Sequence, residues 1–220
     1  MHLFDVIGPV MIGPSSSHTA GAARIGRVVR RLLGVQPVTA DIGFHGSFAK
    51  TYEGHGTDRA VAGGLLDFDV DDPRLRDSLA LAREAGLVLR FSSVNIRNAH
   101  PNTIIIDARA SDGRSISVQA ASIGGGSIRI QSMNGLEVGF SGTENTIVIQ
   151  HRDAPGVIAR VSGLIAERSM NIATMRVFRK KAGAEAVMVL EVDSRPEDTL
   201  LEQLRALPGI DSIAFLEKRE

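Results

Sequence analysis

Between Leu87 and Phe140, five short segments rich in branched residues follow one another: 87–94, 103–108, 115–122, 127–133 and 136–140. They are separated by His100-Pro101-Asn102, Asp112-Gly113, Gly124-Gly125-Gly126 and Asn134-Gly135. Asp-Gly and Asn-Gly are the strongest short-range hairpin signals, because both tolerate the positive φ that a tight turn between strands demands. Consecutive hairpins lay strands side by side in alternating directions, so this stretch predicts a mainly antiparallel sheet. The triple glycine could approach a phosphate, but with no helix after it and no nearby lysine it reads as a turn or a close chain crossing.

Such a sheet needs a cover for its apolar face, and the preceding residues supply it. Ile25, Val28, Val29, Leu32 and Leu33 recur at i, i+3, i+4, i+7 and i+8, one apolar stripe of a helix, with Arg24, Arg27 and Arg31 on the other side. Gly34 and Pro37 stand where a helix should stop. A second helix is expected over 57–66, opening at a Thr57-Asp58 cap, and a third over 73–85, with Pro73 at its start and Leu75, Leu79 and Ala82 buried. Val38 to Phe44 alternates as a half-buried strand and delivers His45 at its end. The apolar segment Leu3–Ile12 is expected to pack as a helical turn beside the residues that follow it.

After Ser141-Gly142-Thr143-Glu144, a linker by composition, the pattern restarts. Strands are expected over 145–150, 171–178, 184–192 and 210–216, with helices carrying Val157, Val161, Leu164 and Ile165 and then Leu200, Leu201 and Leu204. The order is βαββαβ, the ferredoxin-like arrangement. The chain is therefore expected to be α+β, with one domain over 1–140 and a second over 145–220.

Chemistry concentrates in two clusters. Gly13-Pro14-Ser15-Ser16-Ser17-His18-Thr19-Ala20-Gly21 sets hydroxyls and an imidazole at a helix N-terminus, where unpaired N–H groups and the dipole favour a carboxylate or phosphate. A capping serine with a solvated His18 would use the same residues. Farther on lie His45-Gly46-Ser47 and Glu53-Gly54-His55-Gly56-Thr57-Asp58, where glycines flank an imidazole on both sides.

Composition excludes several roles. Lys+Arg and Asp+Glu both total 25, Trp is absent and Tyr52 is the single tyrosine, so neither a basic field nor stacking platforms exist for nucleic acid. No apolar run approaches membrane-spanning length and no leader-like segment opens the chain, so a cytoplasmic location and no membrane partner are expected. Cysteine is absent, which removes disulfides, thiol nucleophiles and thiolate ligands. None of the six histidines has HExxH spacing, so no metal site of this chain's own is expected.

The second domain resembles ACT domains, small regulatory modules, through Asp153-Ala154-Pro155-Gly156 and Met170-Asn171-Ile172. The whole chain resembles the beta chains of two-chain, iron–sulfur-dependent bacterial L-serine dehydratases. The matching residues run from Phe4 to Arg27, through Gly46-Ser47-Phe48, Gly54-His55-Gly56-Thr57-Asp58, Gly63-Gly64-Leu65-Leu66-Asp67 and His100-Pro101-Asn102-Thr103, to Ser122-Ile123-Gly124-Gly125-Gly126. Ala20-Gly21-Ala22 after the His-Thr pair fits the two-chain version. The resemblance implies deamination of L-serine to pyruvate and ammonia by a 4Fe–4S cluster held by cysteines of a separate alpha chain. It also implies that this chain is inactive alone.

On that basis His55 is expected to act as base or proton relay, with Thr57 and Asp58 orienting it. His18 with Ser15, Ser16, Ser17 and Thr19 is expected to bind substrate or face the cluster, and the two imidazoles could exchange roles. In the ACT domain Asp153, Gly156 and Asn171 are the expected regulatory residues. The ligand there is left open among serine, a cation such as potassium, and a second copy through self-association. A pyridoxal-phosphate enzyme is disfavoured, since none of Lys50, Lys180, Lys181 and Lys218 lies in the Ser-x-Lys setting. A non-catalytic serine-sensing subunit is the remaining alternative, because the serine/histidine region also resembles a substrate-sensing domain of some phosphoglycerate dehydrogenases.

Overall fold

The computed structural model describes residues 10–218; most of the helical turn expected over Leu3–Ile12 lies outside them. The chain divides into two compact units, one up to Gly135 and one from Leu136 onward.

In the first unit the chain enters its first helix from Ser15, in extended conformation at φ −143° and ψ 124°. The opening turn, Ser16–Gly21, is π-helical and runs directly into α1 (Ala22–Leu33). The apolar stripe is buried as expected, with Ile25 and Val29 wholly so. Each such aliphatic side chain withdrawn from water contributes about 1.5–3 kcal/mol. Gly34 ends the helix in the left-handed conformation at φ 81°, its N–H bonded to the Arg30 carbonyl at 3.1 Å. Arg27 and Arg31, on the opposite face, pair with Asp67.

The strands are β1 (Pro37–His45), β2 (Val88–Val94), β3 (Thr103–Ala110), β4 (Ser115–Gly124) and β5 (Ser127–Met133), in the order β2-β1-β3-β4-β5. All neighbours are antiparallel except β1 and β2, which run parallel with Ile42 opposite Phe91. A parallel neighbour needs a long crossover, and the crossover here holds α2 (Gly46–Thr51), α3 (Thr57–Leu65), a 3-10 turn (Pro73–Asp77) and α4 (Ser78–Glu84). The single helix expected over 73–85 is two pieces, and at their junction the Ser78 hydroxyl bonds the carbonyls of Arg59 and Leu75. The Thr57-Asp58 cap does not form. Gly56 is the N-cap, and Asp58 Oδ1 accepts from the Arg59 N–H at 2.8 Å. Helices α1 and α3 cross so closely at Gly26 and Gly64 that a Cβ on either would strike the other helix's backbone.

The second unit holds β6 (Leu136–Phe140), β7 (Thr146–Arg152), α5 (Val157–Glu167), β8 (Ile172–Arg179), β9 (Glu185–Val192), α6 (Asp198–Arg205) and β10 (Ile210–Leu216). Its sheet has the order β10-β7-β9-β8 with every pair antiparallel, and the segment from β7 to β10 follows the expected βαββαβ order. Ile147, Ile149, Met188 and Leu190 of the sheet pack with Val161, Ile165, Leu200 and Leu204 of the helices.

Candidate active site

The π-helical turn, the β1–α2 junction and the loop ahead of α3 bring both histidine clusters together. Ser15 Oγ accepts the His18 N–H at 3.1 Å and lies 3.4 Å from His18 Nδ1. On the ring's other side, His18 Nε2 and Ser47 Oγ are 3.2 Å apart. A neutral imidazole has one donor and one acceptor nitrogen, and a hydroxyl can serve either, so both neutral tautomers of His18 are satisfied. Phe48, fully buried, meets the same ring edge-on at 5.0 Å.

His55 meets His18 edge-to-face, with ring centroids 4.9 Å apart and planes at 81°. Its backbone carbonyl accepts from Thr19 Oγ1 at 3.4 Å. Burial, and secondarily the positive charge of His55 when protonated, hold the His18 pKa below its ordinary value. Asp58 is shifted upward, chiefly by burial.

Ser47 can reach His18 because Gly46 sits at φ 60° against the His100-Pro101-Asn102 turn. A Cβ there would lie 2.6 Å from the Pro101 carbonyl oxygen, which accepts the Ser47 N–H at 2.8 Å. The turn that punctuates the sequence between β2 and β3 is therefore the wall that positions α2.

His18, His55, Ser15 and Thr19 are joined by these contacts. Neither Thr57 nor Asp58 bonds to the His55 ring: the Thr57 hydroxyl is buried without a partner, and Asp58 is engaged with the α3 backbone. Nothing in the sequence gives Ser47 or Phe48 a role, and only their contacts with His18 single them out. His45 serves the loop, its Nδ1 accepting from the Ile96 N–H at 3.2 Å. A cleft of about 270 Å³ opens beside His55, with Thr19, Glu53, Arg59 and Arg76 among its walls.

The three residues expected to act in the second unit do not meet. Asp153 Oδ2 accepts from Arg179 Nη1 at 2.6 Å and from the Gly183 N–H at 3.1 Å, and Arg179 holds the Asp153 carboxyl below its usual range. Gly156 is the left-handed N-cap of α5. Asn171 instead donates to Asp193 Oδ2 at 2.8 Å, at the opposite end of the sheet. The register shows this, with Arg152 opposite Glu185 at one end and Ile172 opposite Val192 at the other.

Among the described residues no three of His, Asp and Glu converge as a metal site. With no cysteine in the chain, nothing here fits the thiolate ligand set of an iron–sulfur cluster. No helix among them is long and apolar enough to cross a membrane.

The serine dehydratase beta chain family matches residues 2–86, and the AHAS small subunit-like ACT domain matches residues 147–212. The chain is 47% identical to the probable L-serine dehydratase beta chain of Bacillus subtilis, over 94% of both chains. It is 36% identical to the L-serine dehydratase beta chain of Peptoniphilus asaccharolyticus, over 97% of both. A D-3-phosphoglycerate dehydrogenase of Bacillus subtilis is 29% identical over 89% of this chain and 37% of its own length. The chain belongs to the family of L-serine dehydratase beta chains and ends in an ACT domain.

Proposed function

We propose that this polypeptide is the proton-handling half of an L-serine ammonia-lyase, and the observation that carries the proposal is the edge-to-face pair His18–His55 with Ser15 and Ser47 on the His18 nitrogens. Elimination removes the α-proton and the β-hydroxyl of L-serine, giving water and aminoacrylate, which tautomerises and is hydrolysed to pyruvate and ammonia. A base is needed at the α-carbon, and imidazole is suited to that task near neutral pH. His55 is assigned that role. Burial first and the charge of a protonated His55 second both disfavour a proton on His18. His18, held between the Ser15 and Ser47 hydroxyls, is assigned the second proton-handling role. Of the remaining hydroxyls of the cluster, Thr19 is assigned to the substrate and Ser16 and Ser17 to the face that meets the alpha chain.

The departing hydroxyl calls for a Lewis acid, which a 4Fe–4S cluster would supply. Because this chain lacks ligands for it, the cluster is assigned to the cysteines of an alpha chain, and the active species is a cytoplasmic heteromer. The test is anaerobic co-expression with the alpha chain: the co-purified pair should form pyruvate from L-serine, and neither chain should do so alone. A pair without lyase activity after iron reconstitution would overturn the assignment.

A second reading, a serine-sensing subunit, is favoured by the 29% identity to a dehydrogenase of different chemistry. It predicts serine binding without turnover in the same reconstituted pair. The regulatory role of the ACT domain, through Asp153, Gly156 and Asn171 with serine or potassium as ligand, is proposed from family membership. Calorimetry of the full chain with each ligand tests it.

A further inference from the structure

The cleft beside His55 contains charges that the proton-transfer scheme does not use. Arg59, on α3, and Arg76, in the 3-10 turn Pro73–Asp77, both line it. Five of the other arginines of the same unit are ion-paired, Arg27 and Arg31 with Asp67, Arg74 with Asp72, Arg90 with Asp41, and Arg114 with Asp112, while several more are not. Arg59 and Arg76 make no ion pair among the described residues, although acids lie close in sequence. Asp58 turns its Oδ1 to the Arg59 backbone N–H. Asp72 is held by Arg74.

Arg59 and Arg76, both exposed, bring guanidiniums from separate elements to the wall of one concavity, and the planar fork of arginine matches a carboxylate. Glu53 lies on the wall of the same cleft. It offers the acceptor that an ammonium requires. At about 270 Å³ the cleft is just below the range typical of drug-sized ligands, so it suits a small metabolite and not a nucleotide. It adjoins the histidine pair through His55, which lines it together with Thr19.

We propose that Arg59 and Arg76 bind the carboxylate of a small α-amino acid in this cleft while Glu53 receives its ammonium group. Building on the lyase reading above, the ligand is the substrate, and its α-carbon is presented to His55. The arginines are specificity-determining residues: they supply the binding energy and the orientation, and His55 supplies the chemistry. Pyruvate, which keeps the carboxylate and loses the ammonium, binds the same arginines without using Glu53.

The experiment compares Arg59→Gln, Arg76→Gln and Glu53→Gln in the reconstituted two-chain enzyme, with calorimetry of the full chain as an independent readout. Losing one charge-assisted contact is worth about tenfold in affinity. Each arginine variant should therefore raise the KM for L-serine about tenfold and weaken pyruvate inhibition equally, with the larger change in KM and not in kcat. Glu53→Gln should raise the KM for L-serine but leave pyruvate inhibition alone. Arg59→Lys and Arg76→Lys should recover part of the loss.

L-Serinamide, which lacks the carboxylate, should bind no differently to wild type and to the arginine variants. If the arginine variants keep wild-type KM and pyruvate inhibition while His55→Ala abolishes turnover, the cleft assignment is wrong and the lyase reading stands. If His18→Ala and His55→Ala both turn over normally, the assignment of proton transfer to the histidines fails, and if the wild-type pair forms no pyruvate the lyase reading fails. Calorimetry then decides the cleft alone: L-serine binding lost in Arg59→Gln sustains it, and unchanged binding ends it.

Discussion

The imidazoles of His18 and His55 stand edge to face at 4.9 Å, one from a π-helical turn and the other from the loop before α3. At that distance a charge on His55 adds to burial in disfavouring a proton on His18.

Removing either ring should therefore damage turnover much more than stability. In the reconstituted enzyme His55→Ala and His18→Ala are expected to lower kcat by roughly 10²–10⁴-fold, the range of a lost general acid–base group. Ser47→Ala, which frees one side of the His18 ring, should cost less, since a neutral hydrogen bond contributes about 0.5–1.5 kcal/mol. Steady-state kinetics on the three variants check the order, and near wild-type kcat for both histidine variants would refute the pairing.

The pH dependence follows from the depressed His18 pKa, caused first by burial and second by His55. In the unfolded chain the ring takes its proton near the ordinary value of about 6.5, and in the folded chain only at lower pH. Between those values the unfolded state binds more protons. Stability from this group is thus complete above about 6.5 and declines as pH falls through the window. An NMR titration of the imidazole signals should place His18 below the ordinary value. In His55→Gln the His18 pKa should move part of the way back, burial remaining as the larger cause. No movement would show that the two rings are electrostatically independent.

The α1–α3 crossing offers a test of the fold apart from catalysis. Gly64→Ala sets a Cβ against the Ala23 carbonyl and 2.7 Å from the Arg27 nitrogen, both backbone atoms. The helices must separate, and overpacking of this kind costs about 1–3 kcal/mol or more. Gly54→Ala meets nothing nearer than the Thr51 carbonyl oxygen at 3.8 Å, and a surface change of this sort stays within about 0.5 kcal/mol. Urea denaturation of both variants measures the contrast, and equal midpoints would contradict the crossing.

The absence of cysteine gives a spectroscopic prediction. Purified alone and incubated anaerobically with iron and sulfide, the chain should remain colourless, because cluster assembly needs thiolates. The brown absorbance of a 4Fe–4S cluster should appear only with the alpha chain. A coloured beta chain would mean that a ligand set other than thiolate operates here.

The amino-acid sequence alone determined what depends on near neighbours along the chain. The stripe from Ile25 to Leu33, the turns at Asp112-Gly113 and Asn134-Gly135 and the βαββαβ pattern after residue 144 are local periodicities, which a folded chain must honour to bury one face. It also determined, by omission, that no thiolate comes from this polypeptide. Tertiary structure decided the rest. The six-residue helix α2 is too short and glycine-led to show a period, and the π-helical turn shifts the phase of residues that otherwise look like a plain helix start. Above all, the contact of His18 with Ser47, 29 residues on, and with His55 beyond it depends on a parallel strand pair whose crossover folds back over α1. Sequence spacing carries no information about where two such segments meet, because that is set by sheet order and by how closely two helices can cross.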